Sequence, residues 1–115
     1  MTPTKLGDKP IFLHNLGEGY LYRAHYKSNM AEAYYIASPH DLIMHLSTNI
    51  VEYANILSEG EFFLKDFAEG KTYRHDLMAS GLFIDTGKKI TLQYPTHDAI
   101  YSIWKVKDFY NAEDQ

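Results

Sequence analysis

Apolar and polar positions alternate with two different periods along this chain, and the longest single pattern has the helical one. Over Ser38–Ser58, Leu42, Ile43, Leu46, Ile50, Tyr53, Ala54 and Leu57 fall within about 120° of a helical wheel, the stripe of a core-facing helix. Ser38 suits an N-cap, Pro39 the first helical position and Asp41 the positive end of the dipole, while Gly60 follows as a stop. The pattern predicts one long central helix over 38–58. Its back face is uncharged: Met44, Ser47, Thr48, Val51 and Asn55 lie opposite the stripe, and Glu52 is the single acidic residue after Asp41. Solvated helix backs normally carry charge, so this face is expected to be covered by more chain or by a partner. Met44, Thr48, Val51 and Asn55 are accordingly candidate contact residues.

Period-2 patterns flank that segment. Tyr20, Tyr22, Ala24 and Tyr26 take one side of an extended run and Leu21, Arg23, His25 and Lys27 the other. A turn at Ser28-Asn29-Met30 and a return strand over Ala31–Ala37 complete a hairpin. Ile11–His14 reads as a short edge strand. Beyond Gly60, Phe62–Phe67 and Thr72–Met78 read as strands separated by a turn at 68–71. Leu82–Asp85 and Lys89–Tyr94 around Thr86-Gly87 read as a second hairpin. Ala99–Lys107 is rich in β-branched and aromatic residues and reads as strand, although a helical wheel also groups Ala99, Ile103, Val106 and Tyr110. Polar ends at 1–10 and 111–115 are expected to be a flexible arm and tail. The resulting expectation is a single α+β domain, an antiparallel sheet of hairpin plus meander wrapped around one long central helix. Cystatin-like and hot-dog architectures share that shape.

Composition narrows the functional classes. With 115 residues the chain can bury a core unaided. It has no cysteine, which excludes disulfides, thiolate metal sites and thiol nucleophiles. No apolar run approaches the length of a membrane span and no signal-peptide pattern is visible, so a cytoplasmic location is expected. The formal charge of −4 is concentrated in 38–80, which carries seven acidic and three basic residues. A basic groove for duplex nucleic acid is not expected. Tyrosine is over-represented, ten residues beside six Phe and one Trp. Tyrosines suit both half-buried sheet positions and interfaces, which makes Tyr20, Tyr22, Tyr26 and Tyr35 candidate binding residues.

Candidate chemistry is sparse. Three His-Asp doublets occur, His40-Asp41, His75-Asp76 and His97-Asp98. Metal-dependent phosphohydrolases of the all-helical HD type use such doublets, but in longer, almost wholly helical domains; here Asp more simply caps a turn. No two histidines stand at the i, i+4 spacing of a helical zinc site, so no metal is expected. Gly19–Tyr22 and Tyr35–Ser38 occupy a hairpin in the manner of GIY-YIG nucleases, yet Ala37 replaces the second glycine and no phosphate-holding arginine follows, so that family is not assigned. No phosphate loop or nucleophile elbow is present, and no cofactor is expected. Short, cysteine-free, mildly acidic, aromatic-rich chains of this profile include inhibitors, immunity proteins and antitoxins. The expectation is a non-enzymatic protein that binds another protein or itself. Its rivals are a hot-dog acyl-thioester hydrolase or acyl-binding dimer, and a single-strand nucleic-acid or nucleotide binder that stacks bases on tyrosines.

Overall fold

Tyr20 and Tyr22 of the alternating set lie on a strand in the computed structural model, which describes residues 3–64 and 69–107, and Tyr26 falls just past that strand's end. After two short strands, β1 (Thr4–Lys5) and β2 (Ile11–Leu13), comes β3 (Gly17–His25), paired antiparallel with β4 (Glu32–Ala37). β1 pairs with β3 at Tyr22 and Arg23, and β2 pairs with its Gly17–Gly19 end. Leu21 and Ile36 face each other across β3 and β4 and are buried, while Tyr22 and Tyr35, one residue along, face each other on the outer side. β5 (Leu42–His45) pairs with the far edge of β4. This is the first sheet.

The second sheet has the order β6-β7-β9-β8, formed by β6 (Ser47–Thr48), β7 (Glu61–Leu64), β8 (Phe83–Gln93) and β9 (Asp98–Val106). The chain passes between sheets at Leu46, in the manner of a corner where one strand serves two sheets. Leu46 N–H donates to the Tyr34 carbonyl (3.0 Å), and Tyr34 N–H donates to Ser47 Oγ (2.9 Å). A side-chain hydroxyl thus takes over from the backbone ladder where the strand turns away. A 3-10 helix (Val51–Ile56) connects β6 to β7, and one α-helix, α1 (Glu69–Ala79), precedes β8.

The two sheets and α1 share one core, in which Leu13, Leu21, Ile36, Met44, Phe62 and Trp104 meet Leu77 of the helix. Aromatic rings run through it: Tyr34 to Phe62 (5.0 Å), Phe62 edge-on to Phe83 (6.2 Å), Phe83 to Trp104 (5.9 Å). β7 is buried on both faces, because Phe63 joins Ile50, Tyr101 and Ile103 in a second cluster on the outer side of its sheet. The segment holding the 3-10 helix covers that side.

The long central helix over 38–58 is absent, and with it the α+β architecture wrapped around a helix: the described residues are mostly antiparallel strands in two sheets, with one short α-helix among them. The hot-dog and cystatin-like shapes, which need that helix, do not apply. The capping signal was genuine chemistry used differently. Ser38 Oγ accepts from the N–H groups of His40 (3.3 Å) and Asp41 (3.1 Å), and Ser38 N–H donates to the Asp41 carbonyl (2.8 Å), closing a tight turn between β4 and β5. Ile43, Thr48, Ile50 and Val51 are β-branched and favour strand over helix. The turn expected at 68–71 and the strand expected at Thr72–Met78 are replaced by α1, whose end is marked by Gly81 at φ +76°; Phe67, the expected end of the preceding strand, and residue 68 lie outside the described residues. Thr86-Gly87 does not reverse the chain. It forms a bulge within the single strand β8, with the register shifting between Asp85 and Lys89 and Gly87 at φ +82°. The reversal falls at Tyr94–His97, closed by Tyr94 N–H to the His97 carbonyl (2.8 Å). Ala99–Lys107 is strand over all but its last residue. The segment read as an arm places Leu6 in the core at 5% exposure, and the tail at 111–115 lies outside the described residues.

Candidate functional site

One residue from each of β1, β3, β4 and β5 contributes to a continuous row on the outer face of the first sheet. Lys5 of β1 is directly opposite Tyr22 of β3, Tyr22 opposite Tyr35 of β4, and Tyr35 opposite His45 of β5. Cross-strand neighbours on one face are the residues that can touch in a sheet. The Tyr22 and Tyr35 rings stack with centroids 5.4 Å apart and planes 7° from parallel. His45 lies 6.4 Å from Tyr35, and Lys5 Nζ sits 4.1 Å above the ring of Tyr20, a cation–π contact. Neither core cluster includes these rings. Burial, then the neighbouring Tyr22, raises the Tyr35 hydroxyl above its ordinary value, so the row is uncharged at its centre. Its two ends carry Lys5 and His45.

The other candidate contact residues are dispersed. Tyr26 turns its hydroxyl to Ser47 Oγ (2.8 Å) at the corner between sheets, and burial raises its pKa more than that bond lowers it. Met44 is 2% exposed in the main core, since strand alternation points it inward. Thr48, on β6, and the exposed Val51 and Asn55, on the 3-10 helix, lie at the second sheet. They do not form one helix face.

Thr48 borders an open groove of about 560 Å³ on the outer side of the second sheet. Its floor is Ile50 and Tyr101 of the second cluster, one wall comes from Glu52 and Tyr53, and the other from Thr91–Tyr94 of the β8 end. Among the described residues, no Lys, Arg or His lines it. The Tyr101 hydroxyl is raised by burial and by its neighbour Tyr94, to which it is hydrogen-bonded. The Tyr94 ring also packs on His97 at 5.2 Å.

The His-Asp doublets do not act as units. His40-Asp41 belongs to the β4–β5 turn and His97-Asp98 to the β8–β9 turn. Asp76 of α1 pairs instead with His14, accepting from its backbone N–H (2.9 Å) and from Nδ1 (2.6 Å). These two bonds hold the Asp76 carboxyl below its ordinary range. An ionised carboxylate only accepts, so Nδ1 carries a proton in this bond. No local pattern marks this pair, whose members are 62 residues apart. Among the described residues no group of three or more His, Asp or Glu is placed to hold a metal ion, and no helix is long and apolar enough to cross a membrane. Neither a family model, a curated protein nor a solved structure matches this chain.

Proposed function

We propose that the chain is a non-enzymatic binding module that contacts another protein through the outer face of its first sheet. The observation that carries this reading is the row Lys5–Tyr22–Tyr35–His45. Stacked tyrosines give a large, rigid contact area at low cost in side-chain entropy, and rigid aromatic anchors dominate protein interfaces. Lys5 at one end and the His45 imidazole at the other favour a partner that places hydrogen-bonding groups around an apolar or aromatic centre. Such a module acts by occupying its partner, as inhibitors, immunity proteins and antitoxins do.

The test is affinity capture from the native host, followed by a Kd for the captured protein measured with the parent and with a Tyr22→Ser/Tyr35→Ser variant. The variant is expected to melt close to the parent and to bind at least tenfold more weakly, about the 1.4 kcal/mol contributed by a modest interface anchor. Equal affinity would remove the row from the contact surface. Capture of a second copy alone, with dimerisation lost in the variant, would make the partner the chain itself.

A single-stranded nucleic acid is the second reading, favoured by one contact. Lys5 lies over Tyr20 on the tyrosine side of the sheet, so a cation and stacking platforms share a face, as strand binders require. The formal charge of −4 argues against it, because a phosphate backbone is repelled by an acidic protein. Fluorescence anisotropy with labelled oligothymidine at low salt decides between them; binding lost in the same double variant would replace the protein-partner reading.

A further inference from the structure

We propose that the free edge of β8 pairs with β8 of a second copy, joining two protomers through one antiparallel sheet. In the order β6-β7-β9-β8 this strand is outermost, and no strand of the described residues pairs with its other side. The remaining outer strands, β1, β2, β5 and β6, have two to four residues each. Edges that short offer little to a partner, whereas β8 has 11 residues and no proline. The ladder fixes which of its groups face outward. Tyr94 N–H donates to the His97 carbonyl, and with Leu92 opposite Ala99 and Ile90 opposite Tyr101 the even-numbered residues are the ones bonded to β9. Lys89, Thr91 and Gln93 therefore turn N–H and C=O to the free edge, and all three are exposed.

The spacing of these three residues is self-complementary about a twofold axis, which is what names the occupant. With the axis at Thr91, threonine opposes threonine, and Lys89 opposes Gln93 of the second copy at both ends. Every outward N–H and C=O of the set then has a partner. An axis nearer Phe83 runs the strand into the bulge at Gly87, and on Lys89 it sets two ammonium groups face to face. An axis nearer Tyr94 brings in Pro95, which has no N–H to donate. The side chains agree with the Thr91 register. On the outer face it sets Ile90 against Leu92 of the second copy, and both residues are only partly buried, against the second cluster. The dimer would extend that cluster across the axis. On the other face Ile100, opposite Thr91 on β9, is 55% exposed and stands one strand from the axis. The contact is small, so the dimer is expected to be reversible. No residue of the first-sheet row takes part, so either contact can fail alone.

The test is sedimentation velocity of the full chain over a concentration series, beside Thr91→Lys, Thr91→Asp and an equimolar mixture of the two. The parent is expected to form a dimer with a micromolar Kd. Each variant places like charges across the axis and is expected to weaken that dimer about tenfold or more, while the mixture restores it. Restoration by the mixture requires residue 91 to face its own copy. Amide hydrogen exchange on the parent reads the same edge without a variant. Lys89, Thr91 and Gln93 are expected to be protected where the dimer is populated and to lose that protection on dilution. The proposal is overturned by a parent that is monomeric throughout, by a dimer that survives in both variants, or by a mixture that stays monomeric. A dimer lost in Tyr22→Ser/Tyr35→Ser but kept in Thr91→Lys would place it on the first sheet and overturn it too. Should the variants not fold, exchange at the three amides that is the same at high and low concentration overturns it. Protection found only in the complex with the captured protein would give the edge to that protein's strand instead.

Discussion

Lys88, in the bulge of β8, reaches across β9 to Glu61 of β7, with Nζ 2.9 Å from Oε2 and 3.1 Å from Oε1. The Glu61 side chain is 7% exposed and that of Lys88 51%. Burial alone would raise the Glu61 carboxyl. The Ser58 N–H (2.9 Å) and Lys88 outweigh burial and hold it below its ordinary value of 4.5. The bulge thus has a structural task, to carry a cation to a buried carboxylate at the start of β7.

A pH dependence follows from that depressed value. A carboxyl lowered on folding contributes stability that is fully present above its unfolded pKa and is lost as pH falls through the folded one. The Glu61 contribution therefore begins to fade near pH 4.5 and is gone below its depressed folded value. Glu61→Gln keeps the shape and the acceptor for Ser58 but removes the charge. Near neutral pH it is expected to cost about 1 kcal/mol, below the ~1.5–3 kcal/mol of a charged hydrogen bond because Lys88 is half-exposed. Denaturant melts across the acid range check this; the parent and variant curves should converge at low pH.

Gly19 is expected to tolerate no side chain. A Cβ there would stand 2.5 Å from Ile36 Cγ2 and 2.8 Å from Ile43 Cδ1, and Ile36 is fully buried. Gly19→Ala should destabilise by about 1–3 kcal/mol, the usual effect of overpacking. Adding Ile43→Val, which removes the Cδ1 methyl 2.8 Å from the new Cβ, should recover part of the loss, measured by equilibrium unfolding.

Leu46 and Ile50 are both buried, at 1% and 7% exposure, but in different clusters. Leu46→Ala and Ile50→Ala are each expected to cost about 2–5 kcal/mol, and the two losses to add approximately because the sites belong to separate clusters. Val51, next in the chain, is 56% exposed. Val51→Lys should change stability by no more than about 0.5 kcal/mol. It should also leave partner affinity unchanged if the first sheet is the contact surface.

What could be read in the sequence was what strictly local chemistry decides. Alternation located the β3–β4 hairpin and the outward tyrosines, because period 2 over Tyr20–Tyr26 fits no other element. Residues 38–58 misled because Leu42, Leu46 and Ile50 satisfy a helical stripe and also a strand that changes sheets, and local pattern holds no information about where Ser47 finds its partner. α1 was hidden for the opposite reason. Of the helix residues whose burial is described, Leu77 alone is fully buried, too little to mark a stripe. The row on the first sheet needed register: Tyr22 and Tyr35 were visible as candidates, whereas Lys5 and His45 join them only through pairing of β1 and β5.

The central claim is that a partner covers the row on the first sheet, and oxidative footprinting of the tyrosines reads this directly. The complex with the captured protein is exposed to hydroxyl radicals beside the free chain, and oxidation is quantified at each tyrosine. The account predicts that Tyr20, Tyr22 and Tyr35 are protected in the complex while Tyr53 and Tyr94, on the second sheet, are oxidised as in the free chain. Protection of Tyr53 and Tyr94 with Tyr22 and Tyr35 unchanged would contradict it and move the contact surface to the groove.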